Sequence, residues 1–493
     1  MQNIKTLGEL KKSGYISRSI KDELRDNLIL KIKNKETVFK GILGYEDTVI
    51  PDLERAILSR HNMNLLGLRG QAKTRIARQM TELLDEYVPV VEGSELNDDP
   101  INPISTFAKD LIKEQGDKTP IVWLHRSERY IEKLATPDVS IADLIGDVDP
   151  IKAANLRLSY ADERVMHYGI IPRSNRCIFV INELPDLQAR IQVALFNILQ
   201  EGDIQIRGFK LRIPLDVQFI FTANPEDYTN RGSIVTPLKD RIGSQILTHY
   251  PKSIALSKKI TAQEAKLSPS QKESVEVLDL VATILERISF EARDSEFVDA
   301  KSGVSARLAI SAYENLVSTS ERRMLLNGES STIARISDLM GVIPSVNGKI
   351  ELVYEGEQEG AGGVSKHLLS KAIKAEFFEN FPDPSKLKKK TEPSPYIAIS
   401  NWFSNGNVVD LMLLEDADEY KRVLESVSGL SEIVDKYVTT KNKNEKLLMM
   451  EFVLFALSEC NVIGKNELER STQFIDVFQS IISGKAAYGQ NEN

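Results

Sequence analysis

Cysteine and histidine are scarce in this 493-residue chain, with two and five respectively. Cys177 and Cys460 offer neither a disulfide framework nor metal-ligand spacing, and the histidines are scattered without a paired motif. Long apolar runs are also missing: the longest, Leu447–Leu457, is short and carries Glu451 inside it, so it is expected not to span a bilayer. The polar N-terminus has no apolar segment of the kind a signal peptide needs. No internal repeat is visible. A net charge of −8 argues against broad binding of nucleic acid. These absences lead to an expectation of a soluble cytoplasmic protein with no membrane insertion and no nucleic-acid partner.

What is present is ordinary globular composition, with room for two to four domains. Residues 1–40 are polar and charge-mixed and read as an N-terminal arm with one or two short helices. Between 41 and 251, apolar strands alternate with amphipathic helices, which predicts an α/β domain with a largely parallel sheet. Cys177–Ile181 and Val217–Phe221 are short runs of branched and aromatic residues, as buried strands are. Between them Ile204 and Ile206 face Leu211 and Ile213 across Gly208-Phe209, the pattern of a hairpin.

Residues 252–330 read as a helical lid, with Val277, Leu280, Val281, Ile284 and Leu285 on one stripe. An extension over 331–385 contains a predicted strand at Lys349–Tyr354 and a helix. Prolines and lysines make 386–395 a linker. Residues 396–484 read as a helical C-terminal domain, and 485–493 as a disordered tail.

The chemistry begins at Asn64-Leu65-Leu66-Gly67-Leu68-Arg69-Gly70-Gln71-Ala72-Lys73-Thr74, an apolar strand, a glycine turn and a helix start. Loops of the pattern G-x-x-x-x-G-K-[ST] wrap backbone N–H groups around phosphates. They send a lysine to the β/γ oxygens and a hydroxyl to Mg²⁺. Gly67, Lys73 and Thr74 fit, and Gly70 and Gln71 lie within the loop; Ala72 stands where the second glycine belongs. Ala72 is accommodated if its φ is negative, whereas a positive φ costs about 1–2 kcal/mol. The following helix is predicted to bury Ile76, Met80, Leu83, Leu84 and Tyr87.

A second element is Asn182-Glu183 at the end of the Ile178–Ile181 strand. In ATPases with such loops, the first residue holds Mg²⁺ through water and the second activates the attacking water. Asn182 contributes no charge, while Glu183 remains available as a base. A third is Asn224, at the end of the next strand, within reach of a γ-phosphate and its attacking water. Arg241, in Pro237-Leu238-Lys239-Asp240-Arg241, suits a finger offered to a neighbouring subunit. Arg307 opens a helix in the lid segment, where it can touch phosphate. Ligands of parallel sheets bind outside the carboxyl ends of the strands, which is where these motifs fall.

In this order the elements resemble an AAA+ ATPase of the MoxR and magnesium-chelatase subunit I group, a bacterial chelatase-I-like protein. The resemblance covers Gly41 to Arg307. It includes Val90-Val91-Glu92-Gly93 and Asp98-Asp99-Pro100, which are similar to the chelatase subunit's insert without its cysteines, and Asp143–Pro150, which looks like the helix-2 insert entry. It implies an AAA+ P-loop core, a helical lid and a mostly helical C-terminal region. It also implies that the Ile204–Ile213 hairpin precedes sensor 1, with Asn224 as sensor 1, Arg241 as arginine finger and Arg307 as sensor 2. Further implications are ATP and Mg²⁺ as cofactors, a hexameric homo-oligomeric ring, and a client that often carries a von Willebrand factor A domain.

Three functions follow from this reading. The first is an ATP-hydrolysing ring that remodels or activates a partner protein, in metal or cofactor insertion among other tasks. The second is a nucleotide-gated assembly platform whose turnover Ala72 and Asn182 have slowed. The third is the motor of a metal chelatase, which the missing insert cysteines and the long C-terminal region disfavour. The chain contains no D-x-S-x-S motif and so is not itself the von Willebrand-type partner. Gly360-Ala361-Gly362-Gly363-Val364-Ser365-Lys366 imitates a second phosphate loop but lacks the G-K-[ST] ending, and Glu355, Glu357 and Glu359 would repel phosphate. It is expected to be a helix entry.

Overall fold

The computed structural model describes residues 3–159, 162–205, 212–225, 233–387, 394–468 and 471–477. The chain divides into two compact units, residues 1–250 and 251–493.

The first unit is built on five strands: β1 (Met63–Leu66), β2 (Tyr130–Leu134), β3 (Cys177–Asn182), β4 (Val217–Ala223) and β5 (Ser244–Leu247). All neighbours pair in parallel, in the order β5-β1-β4-β3-β2. Every residue of β4, and β3 up to Ile181, is buried, so the hydrophobic effect holds both strands from two sides. Alternate residues face opposite layers. Ile178, Val180 and Ile220 pack with Ile76, Ala77 and Leu53, while Phe179, Ile181, Phe219 and Phe221 pack with Ile191, Leu195 and Leu238. This is the α/β P-loop core expected, with helices on both faces.

Residues 1–40 differ from the expected arm. Helix Ile20–Lys33 places Ile20, Leu24 and Leu28 in the same core as Met63 and Leu65. The buried apolar positions recur every four residues, and the charges between them obscure the stripe. Glu23 on this helix is buried against Arg129, with Nη1–Oε1 and Nη2–Oε2 distances of 2.7 and 2.6 Å.

The helix after the phosphate loop is also shorter than predicted. It spans Lys73–Gln79 and passes into a single tight turn, Met80–Leu83. Ile76, Met80, Leu83 and Leu84 are buried as expected, but Tyr87 begins a separate strand, Tyr87–Val91, which pairs antiparallel with Ile121–His125. In the predicted hairpin, Asp203–Gln205 pairs with Arg212–Pro214 and Ile204 lies opposite Ile213. Its tip, with Ile206, Gly208, Phe209 and Leu211, lies outside the described residues. Asp98 and Asp99 of the predicted insert are buried, and Gly146–Val148 pairs antiparallel with Met166–Tyr168.

The second unit is mainly helical. Helices Ile254–Glu264, Asp279–Arg293, Arg307–Leu326, Ala361–Asn380 and Lys443–Glu459 enclose one apolar core, which holds the predicted stripe residues Leu280, Val281, Ile284 and Leu285. Lys349–Tyr354 is not a strand: Leu352 makes one isolated bridge to Val298, and Tyr354 starts helix Tyr354–Glu359. That short helix carries the glutamates, and Ala361 then opens the next helix, so the glycine-rich decoy is a helix entry.

The C-terminal domain contains strands as well as helices. Val409–Met412, Ser471–Ile475 and Gly464–Glu467 form an antiparallel sheet in that order. Leu447–Ser458 is buried on every side rather than amphipathic. Glu451, fully enclosed, accepts from Ile336 N, Ser337 N and Tyr420 Oη at 2.8–3.0 Å. Most of the predicted linker, residues 388–393, and all of the predicted tail lie outside the described residues. Among the described residues no helix is long and apolar enough to cross a membrane.

Candidate functional site

The sheet register decides which motifs meet. Leu66 of β1 is level with Ala223 of β4, and Phe221 of β4 with Ile181 of β3. Gly67, Asn182, Glu183 and Asn224 therefore emerge together at the carboxyl ends of three adjacent strands. The loop lies more than a hundred residues from either of the other two strand ends, and only the parallel pairing unites them.

The loop is held from outside by the hydroxyls of Thr248, Tyr45 and Tyr250, the last donating to Arg69 O at 2.9 Å. Thr248 Oγ1, one residue past β5, donates to Gln71 Oε1 at 2.6 Å. Tyr45 Oη bridges the carbonyls of Gln71 and His249 at 3.1 and 2.7 Å. Burial pushes the Tyr45 phenol up to about 12, so it remains a donor. Gly67 leaves no space for a side chain, since an added Cβ would lie 2.0 Å from Thr248 Oγ1 and 2.2 Å from Gln71 Oε1. A cradle that a methyl group would fill fits a phosphate-binding loop.

Gly70 has φ +73° and Ala72 φ +58°. Ala72 thus takes the left-handed conformation, the costlier of the two alternatives, while its side chain is exposed. Lys73 follows as the first helical residue. Its Nζ donates to Leu68 O at 2.9 Å, to Asn224 Oδ1 at 2.8 Å and to Gly67 O. The ammonium is held over the loop by the loop's own carbonyls. Thr74 is half-buried in the first helical turn.

At the end of β3, Asn182 and Glu183 join a chain of hydrogen bonds. Thr222 Oγ1 donates to Asn182 Oδ1 at 3.0 Å and accepts from Glu183 N at 3.1 Å. Asn182 Nδ2 donates to Glu132 Oε1 on β2. Glu183 has φ +56° and ψ +48°, a left-handed backbone at the residue expected to act as base. Thr222 and Glu132 were not singled out by sequence. Thr222 lies two residues before Asn224, a residue the sequence does single out, but Glu132 is brought in by strand register and has no local signal.

Arg241 is elsewhere in the unit. It ends helix Thr236–Arg241, three residues before β5, whose first residue is level with the amino end of β1. Arg241 and the loop therefore lie toward opposite ends of the sheet. Its Nε donates to Gln200 Oε1 at 3.0 Å and Nη1 to Pro237 O at 2.8 Å, with the guanidinium 4.9 Å from the Phe196 ring centre. Arg307 belongs to the second unit, where it is exposed as the first residue of helix Arg307–Leu326, its N–H bonded to Ser305 Oγ at 3.1 Å.

Among the described residues no group of three or more His, Cys, Asp and Glu is placed to hold a metal. The groups expected to face a metal, the Thr74 hydroxyl and the Asn182 amide oxygen with the Glu132 carboxylate bonded to its nitrogen, would offer oxygen donors alone. That suits Mg²⁺, which keeps several waters and takes part of its ligation from phosphates.

The class these features define is a P-loop α/β protein. No protein-family model matches the chain, and no curated protein does. Among solved structures, a mutant of RuvB from Thermotoga maritima is 13% identical, with TM-score 0.35 over 69% of this chain and 79% of that one. The complex of magnesium-chelatase subunits BchI and BchD gives 18% identity and TM-score 0.34, covering 65% of this chain and 98% of that one. NtrX from Brucella abortus gives 13% and 0.33, and the match spans 62% of this chain and 57% of NtrX. Similarity of this order decides nothing about activity, and the fold class stands on the sheet order described above.

Proposed function

We propose that the chain is an AAA+ ATPase that binds and hydrolyses ATP with Mg²⁺ and uses the cycle to remodel or activate a partner protein. The observation that carries this reading is the contact of Lys73 Nζ with Asn224 Oδ1 at 2.8 Å, which unites the loop lysine with the residue expected to sense the γ-phosphate. Lys73 would exchange its loop carbonyls for phosphate oxygens. Thr74 and Asn182 would face the metal, which when bound neutralises charge on the phosphates. Glu183 is the residue to accept a proton from the attacking water, and Asn224 orients that water. Arg241, remote from its own loop, suits a site on the next subunit, and Arg307 would report phosphate to the helical unit.

A cytoplasmic, hexameric ring acting on a von Willebrand factor A domain protein or another protein client, in metal or cofactor insertion among other tasks, belongs to the same proposal. The test is steady-state ATP hydrolysis by the wild type beside Glu183→Gln and Lys73→Ala. Turnover in the wild type, lost in both variants, supports a motor; activity unchanged in Glu183→Gln overturns it. The strained backbone of Ala72 favours a second reading, a nucleotide-gated assembly platform with slow turnover. Tight ATP binding with no hydrolysis in the wild type, alone or with its client, would support that reading instead.

A further inference from the structure

We propose that the negative charge missing from Asn182 is supplied by Glu132, one strand away, and that Glu132 is the positioning residue of the Mg²⁺ site. This rests on the nucleotide reading given above. Glu132 is level with Val180 on the adjacent strand, two residues before Asn182, so both side chains project from the same face of the sheet. That face also carries helix Lys73–Gln79, which opens with the loop lysine and Thr74.

A carboxylate only accepts hydrogen bonds, so the Asn182 amide must turn its nitrogen toward Glu132. Its carbonyl oxygen is then directed the other way, where it accepts from Thr222 Oγ1 on β4 at 3.0 Å. An N–H donated to an anion makes the amide oxygen more negative and a better acceptor for a metal-bound water. Glu132 therefore both fixes which end of Asn182 faces the site and places a full negative charge behind it.

The second oxygen of Glu132 is taken by Arg78 Nη2 at 3.0 Å, Arg78 Nε at 3.3 Å and Tyr130 Oη at 3.3 Å. Arg78 is two-thirds exposed, and such a pair is screened by water. A merely structural role for Glu132 would be to anchor this arginine and tyrosine. It would affect stability but not the response to metal.

The two roles separate in a titration of Mg²⁺ against binding of a fluorescent ATP analogue, with thermal unfolding measured on the same samples. Glu132→Gln should raise the Mg²⁺ concentration for half-saturation about tenfold and leave binding in EDTA unchanged. Asn182→Asp in the Glu132→Gln background should restore the wild-type curve to within about threefold, because it returns one carboxylate to the pair. Asn182→Asp alone sets two carboxylates side by side, so Mg²⁺ should raise its melting temperature more than the wild type's. Arg78→Met should leave the Mg²⁺ curve in place.

An unshifted Mg²⁺ curve in Glu132→Gln, or no recovery in the double variant, overturns the assignment while leaving the nucleotide site standing. Should Glu132→Gln not fold, an Mg²⁺ response of Asn182→Asp equal to that of the wild type overturns it. A wild type that binds no analogue with or without Mg²⁺ overturns the nucleotide reading itself, and this assignment with it.

Discussion

Lys73 Nζ and Asn224 Oδ1 stand 2.8 Å apart, although 151 positions separate them in sequence. The contact joins the helix that ends the phosphate loop to the end of the neighbouring strand. It gives the loop a direct connection to Asn224, the residue proposed to sense the γ-phosphate.

Removing that connection should affect turnover more than binding. Asn224→Ala is expected to lower kcat by about 10²-fold, the usual effect of deleting one preorganised polar group at a reacting centre. KM for ATP should change much less. An equal loss in binding and turnover would show that Asn224 only holds the loop together. Steady-state kinetics with an independent binding isotherm distinguish the two.

Ala72 allows a test of backbone strain free of packing, because its side chain is exposed and its φ is +58°. Glycine relieves the left-handed penalty but loosens the unfolded chain, so Ala72→Gly should be neutral to stabilising, by at most about 1 kcal/mol. A β-branched residue cannot adopt this conformation cheaply, and Ala72→Val should cost at least about 1 kcal/mol. Chemical denaturation of both variants checks the order; a Val variant as stable as the Gly variant would contradict it.

Gly67 makes a steric prediction at the other end of the loop. Gly67→Ala brings a methyl group against Thr248 Oγ1 and Gln71 Oε1 and must break the contact between them. A loss of about 1–3 kcal/mol in stability is expected, with nucleotide binding lost along with it. Unchanged binding would mean that the Gln71–Thr248 brace does not shape the loop.

Asp216 links the N-terminal helix to pH. Burial raises its pKa to about 6, against the lowering effect of the Ile20 N–H bond at 2.7 Å and of Arg176 and Arg129; Glu23 acts with burial, and Lys21 also faces it. A carboxyl whose folded pKa lies above its unfolded value binds more protons in the folded state. Stability then falls as pH rises from about 4 to about 6. Asp216→Asn should remove this slope and stabilise the protein by about 1–3 kcal/mol at pH 7, with no gain at pH 4. Urea denaturation at the two pH values reads the difference, and an equal effect at both would contradict it.

Much of this core was legible in sequence, for particular reasons. β3 and β4 are buried on both faces, so their apolar runs are continuous and local, and the phosphate loop is a contiguous pattern. Helix Ile20–Lys33 was hidden because three apolar residues spaced by four lie among charges, and its burial depends on β1 and β4, far along the chain. The Lys349–Tyr354 run alternates as a strand does but, among the described residues, has no partner strand beyond the isolated Leu352–Val298 bridge. Glu132 illustrates the same limit within the site. Nothing local marks it, and its role follows from register between β2 and β3.

The most direct test of the account is equilibrium binding of ATP with Mg²⁺ to the purified wild type and to Lys73→Ala, measured calorimetrically and with both proteins checked for folding. The account predicts saturable binding by the wild type and a loss of at least about tenfold in the variant, the scale of one charge-assisted contact to phosphate. Folded wild-type protein that binds no ATP, or that binds it equally well without the Lys73 ammonium, would contradict the assignment of this loop as the nucleotide site.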